Sequence, residues 1–85
     1  MYILIGSITS AVRLSRVIES NTGTPALVLH TPSQIKKGGC SYCVKSDIKS
    51  VDTVYSLAAS AGVNIKNIYR EKQENGGKVY YDISR

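Results

Sequence analysis

Pro25-Ala26-Leu27-Val28-Leu29-His30, then Thr31-Pro32-Ser33-Gln34-Ile35-Lys36-Lys37-Gly38-Gly39-Cys40, then Ser41-Tyr42-Cys43-Val44-Lys45: this run decides the fold. Its first six residues read as a strand, with Pro25 at the start, where a missing N–H is tolerated. Thr31-Pro32 ends it. Residues 33–39 are polar and close on two glycines, so they read as a connection. Residues 41–45 alternate, which puts Tyr42 and Val44 on one face of a strand and Ser41, Cys43 and Lys45 on the other. Cys40 falls where connection meets strand.

Working outward, this strand–connection–strand unit is flanked on both sides by a helix and a further strand. Upstream, Tyr2-Ile3-Leu4-Ile5 is apolar on both faces, as a central strand is. Ser7, Thr9 and Ser10 offer helix caps. Ala11, Leu14, Val17 and Ile18 recur at helical spacing over residues 9–20, and Asn21-Thr22-Gly23 stops them. Downstream, Asp47 reads as the cap of a second helix that carries Ile48, Val51, Val54, Tyr55, Ala58 and Ala61 inward and closes at Gly62. Residues 63–70 read as a fourth strand. Glu74-Asn75-Gly76-Gly77 has the Asn-Gly pair of a tight hairpin, and residues 78–83 form the last strand.

The order β-α-β-β-α-β plus one hairpin strand predicts an α+β fold. It is a ferredoxin-like sandwich in which two helices lie on one face of an antiparallel sheet. Residues 1–85 read as a single domain. At this size, with 42% hydrophobic residues, one helix layer on one sheet can be packed and a second core cannot. A sheet with one bare face would gain from a second copy, so a homodimer is an expected partner arrangement.

Charge and cysteine usage narrow the function. The formal charge is +5, from 11 basic and 6 acidic residues, which suggests anionic partners. The basic residues are scattered, and the six tyrosines show no clear stacking pattern on the sheet. A nucleic-acid interface is therefore disfavoured, although open sheets of this kind bind RNA elsewhere. Two cysteines do not make a disulfide scaffold. The apolar N-terminal run is too short for a signal peptide or a membrane span. The expectation is a cytoplasmic protein with reduced thiols and no membrane contact.

The chemistry, if any, is sulfur chemistry at Cys40 and Cys43. Their spacing fits a redox dithiol, a soft-metal pair or half of a zinc site. Zinc would need further strong ligands, and His30 is the sole histidine. No resident metal or cofactor is expected. A disulfide requires Cα atoms about 4.4–6.8 Å apart, whereas an extended Cys40–Cys43 segment holds them roughly 10 Å apart. That leaves a single-thiol reading. Cys40 follows Gly38-Gly39, with Lys36 and Lys37 close in sequence, and positive charge stabilises the nucleophilic thiolate.

Pro32, Ile35, Gly38-Gly39-Cys40-Ser41-Tyr42, the Thr-Pro that closes the β-α-β opening, Ser7 and Ala11 at the first helix, Ala61-Gly62-Val63 and Ile68-Tyr69 together carry a resemblance. Over residues 2–70 the chain resembles a family of small bacterial selenium/sulfur carrier-like proteins, long treated as a domain of unknown function. Ser33 and Ser41 stand where that family usually has arginine and glycine, and Cys43 is an addition. The resemblance implies a non-catalytic carrier in which Cys40 holds sulfur or selenium as a persulfide-type adduct. Lys36 and Lys37 would support the thiolate and docking, and Gly38 and Gly39 would give reach. The partner would be a donor or acceptor enzyme such as a cysteine desulfurase. The alternative is a dithiol metal-binding or redox-switch module using Cys40 and Cys43 together.

Overall fold

The computed structural model describes residues 1–36 and 41–84. The elements are β1 (Tyr2–Ile5), α1 (Ile8–Thr22), β2 (Ala26–His30), β3 (Tyr42–Ser46), α2 (Val51–Ala61), β4 (Ile65–Glu74) and β5 (Gly77–Asp82). The protein is α+β, and its described residues form two helices and a five-stranded antiparallel sheet ordered β2-β3-β1-β4-β5.

The alternation of side chains along β1 sorts the interior into two layers. Ile3 and Ile5 face the helices, where Ala11, Leu14 and Ile18 of α1 and Val54 and Ala58 of α2 pack with Val44 and Ile68. Tyr2 and Leu4 face the other way, with Cys43 and Tyr69. All four β1 residues are buried, as expected of a strand paired on both sides. Both helices therefore cover one face. The pairing of Tyr42 and Val44 against Cys43 and Lys45 also agrees with the sequence pattern.

The helix boundaries show where local chemistry departed from the sequence expectation. Ser7 caps α1, its hydroxyl accepting the Ser10 N–H at 3.2 Å. The helix runs two residues past the expected stop because Asn21 and Thr22 bond back to the carbonyls of Val17 and Ile18. Gly23 then ends it in the left-handed conformation. Asp47 is not the cap of α2. Ser50 is, accepting the Thr53 N–H at 3.3 Å. Ser46 is buried and takes the Ile48 N–H at 3.1 Å, so the chain turns out of the sheet before it enters the helix layer. Ile48 still packs on the core, from outside the helix.

β4 continues to Glu74, four residues beyond expectation, because β5 pairs with its second half from Tyr69↔Asp82 to Glu74↔Gly77. Asn75 and Gly76 make the hairpin turn with φ of 50° and 77°. Both central residues of such a two-residue turn need positive φ, which Asn and Gly supply at least cost.

Candidate functional site

The connection between β2 and β3 has a closed base and a pinned middle. His30 pairs with Tyr42 in the last register position of the two strands. One step beyond, the Thr31 N–H donates to the Ser41 carbonyl at 2.9 Å. Pro32 then turns the chain, its carbonyl accepting the Ile35 N–H at 3.1 Å. The turn directs Ile35 under the helix-free face of the sheet. There it packs into the cluster of Tyr2, Leu4, Cys43 and Tyr69 and is only 3% exposed. Leu29 and Tyr80 fill the edges.

The centre of the face expected to be bare is thus closed by the chain itself, while Leu27 on the β2 edge of that face stays 54% exposed. Leu4 and Cys43 are fully buried although no helix lies over them. The uncovered surface that would favour a second copy is confined to the edges of that face among the described residues.

Cys43 is a free thiol with no solvent exposure. Burial pushes its pKa up, because the thiolate would lose its hydration. The nearby Thr31 hydroxyl acts in the opposite direction and more weakly. That hydroxyl is itself buried and makes no well-aligned hydrogen bond among the described residues. Cys43 is therefore a protonated core thiol.

A polar cluster borders the apolar one. The Tyr2 hydroxyl donates to Glu71 Oε2 at 2.8 Å, and Lys78 Nζ lies 3.5 Å from the same oxygen. The Tyr2 phenol is held well above the ordinary tyrosine range, first by burial and then by the Glu71 carboxylate. The Glu71 carboxyl is correspondingly low, chiefly through the bond from Tyr2. Lys45 reaches over the Tyr2 ring at 5.6 Å, a cation–π arrangement. Of the sheet tyrosines, Tyr2 and Tyr69 are buried, and Tyr80 meets Tyr2 edge-on at 5.5 Å. These rings serve packing rather than presenting a stacking platform.

Of the residues singled out from sequence, Lys36 is exposed on the connection just beyond Ile35, and Cys43 is in the core beneath it. Lys37, Gly38, Gly39 and Cys40 lie outside the described residues. His30 is exposed at the strand end with its ring 5.1 Å from that of Tyr42. Among the described residues, no three of His, Cys, Asp and Glu converge as a metal site. No helix among them is long and apolar enough to cross a membrane.

Composition and periodicity alone did not single out Ile35 as an anchor or Thr31 as the base of the connection. One signal was available: a lone isoleucine inside an otherwise polar stretch.

The chain matches the family described as "Putative Se/S carrier protein-like" over residues 1–70, up to the middle of β4. No curated protein and no solved structure matches it. The match spans the first four strands' core registers, both helices and the whole β2–β3 connection, so the chain belongs to the Se/S carrier protein-like family.

Proposed function

We propose that the protein carries sulfur or selenium on Cys40, in the β2–β3 connection, and hands it to a partner enzyme in the reducing cytoplasm. The observation that carries this reading, beside the family, is the burial of Cys43. The chain has two cysteines. One is sealed in the core with its thiol kept protonated, so the carrier role falls to the other. Residues 1–85 act as one unit, and we read the strand order β2-β3-β1-β4 as a ferredoxin-like core with β5 added by a hairpin.

In loading, the Cys40 thiolate attacks the outer sulfur of a donor persulfide. The donor leaves as its thiolate and Cys40 becomes a persulfide. In delivery, an acceptor nucleophile takes that outer sulfur and Cys40 leaves as thiolate. Neither step changes the net redox balance between the partners. Ile35 anchors the β2 side of the connection and the Thr31–Ser41 bond closes its base, with Ser41 next in sequence to Cys40. Lys36 and Lys37 favour the thiolate, and Gly38-Gly39 removes side-chain bulk next to it.

The dithiol alternative is less well supported. It requires Cys43 to leave a fully buried site in a strand paired on both sides. Mass spectrometry after incubation with a cysteine desulfurase and cysteine tests the choice. One added sulfur on Cys40 is expected, lost in Cys40→Ser and retained in Cys43→Ala. Sulfur on a Cys40→Ser protein would overturn the assignment, and loss in a folded Cys43→Ala protein would favour the dithiol.

A further inference from the structure

The sheet registers give the molecule two ends, and the charges are not shared equally between them. Ile5, His30, Tyr42 and Ile65 are aligned across the sheet at one end. The β2–β3 connection springs from that end. So does α1, which begins three residues after Ile5 and packs over β2 and β3. At about 3.5 Å per residue and about 4.8 Å per strand, the first turn of α1 lies within roughly 20 Å of the base of the connection.

All six acidic residues lie toward the opposite end. The Glu19 carboxylate accepts the Ala26 N–H, and Ala26 pairs with Ser46 at the far edge of β3. Asp47 follows that edge, and Asp52 is in the first turn of α2, which starts there. Glu71, Glu74 and Asp82 sit on the hairpin at or beyond Tyr69, which pairs with Tyr2. Lys45, Lys49, Arg70, Lys72 and Lys78 share that end and nearly offset them.

Among the described residues the excess of positive charge therefore lies toward the end bearing the connection, with Arg13, Arg16, Lys36 and Lys66 on that side. Lys36 is exposed on the connection. Lys66 is one residue into β4, its Cε beside Gly6. Arg13 is about 7.5 Å along α1 from its first residue. The first turn of α1 contains no acidic residue, so the positive end of its dipole is not offset. Arg13 and Arg16 flank an outward groove of α1 with Ile8, Val12 and Val17, and neither arginine forms an ion pair within 4 Å among the described residues. Ile8, at the start of that groove, is 49% exposed.

We propose that this end, with Ile8 as its apolar contact and Arg13, Lys66 and Lys36 as its charged rim, docks the acidic rim of the enzyme whose persulfide loads Cys40. The inference rests on the carrier reading. Charge separated in this way steers association and shows itself in on-rate and salt dependence. A shallow apolar contact governs how long the complex lasts.

The test is single-turnover transfer of sulfur from a persulfidated cysteine desulfurase to Cys40, followed by mass spectrometry at low and at high ionic strength. Inorganic polysulfide serves as a donor that needs no docking. Arg13→Glu with Lys66→Glu should slow transfer from the enzyme by about 10-fold or more at low ionic strength. The deficit should close at high salt, and loading by polysulfide, a small anion with no docking surface of its own, should fall far less than loading by the enzyme. Ile8→Ser should give a loss of a few-fold that salt does not close. Equal enzyme-dependent rates for wild type and the charge-reversed protein would overturn the proposal. So would a wild type loaded by polysulfide but not by the enzyme. If neither donor loads Cys40, the carrier reading fails first and this inference falls with it.

Discussion

Replacing Ile35 by alanine tests whether this one side chain holds the β2–β3 connection to the sheet. The change removes three carbons from a site that is 3% exposed. At about 0.8 kcal/mol per buried CH₂, the loss is about 2.4 kcal/mol. That lies near the lower end of the range of about 2–5 kcal/mol for such truncations, which suits a site at the rim of a cluster, where neighbours can relax. A chain of this length is stable by about 4–13 kcal/mol, so the variant should still fold. Cys43 is the reporter, because it lies in the same cluster and has no exposure of its own. In a Cys40→Ser background, alkylation of Cys43 requires the connection to lift. If lifting breaks the Ile35 contacts, the open population should rise roughly 50-fold, at about 1.36 kcal/mol per factor of ten. The assay is the rate of Cys43 modification in native buffer, alongside urea melts of both proteins. The reasoning is refuted if wild-type Cys43 reacts as fast as an unstructured peptide thiol. It is equally refuted if the two rates coincide once differences in global stability are taken into account, since the cover would then be elsewhere.

Three further outcomes follow from the same structure. Ser50→Ala should lower stability by about 1 kcal/mol through loss of the α2 cap, while Asp47→Ala should leave the melting curve nearly unchanged; a reversed order would return the cap to Asp47. Tyr2→Phe should cost about 1 kcal/mol through loss of the bond to Glu71, and NMR titration should show the Glu71 carboxyl moving up toward its ordinary range. The Tyr2 phenol titrates higher when folded than when unfolded, so its contribution is complete below about pH 10 and is lost as pH rises further. Stability of the wild type should therefore fall more steeply than that of Tyr2→Phe above about pH 10, and parallel curves would contradict the assignment.

Much of the architecture was legible because it depends on short-range periodicity. Alternation in Tyr42-Cys43-Val44-Lys45 assigned each side chain to its face, and Asn75-Gly76 fixed the hairpin. Gly23 and Gly62 marked both helix ends, since each takes the left-handed conformation. The start of α2 was not legible. Asp47 and Ser50 are both good caps by type, and the choice was made by the buried Ser46, whose hydroxyl claims the Ile48 N–H first. The length of β4 depended on β5, a partner that no local window contains.

For the candidate site, the sequence by itself determined that two cysteines flank the start of β3 and that lysines and glycines precede the first of them. It also determined the net positive charge. Only the tertiary structure decided that Cys43 is withdrawn, because its burial arises from Ile35, Leu4 and Tyr69, which meet it across three different segments. The separation of acids from the end bearing the connection was likewise set by sheet register, which sends Glu71 and Glu74 one way and the start of α1 the other. Side-chain type gives a residue its chemistry. Burial and long-range charge are sums over neighbours, and neighbours are fixed only when the chain has closed on itself.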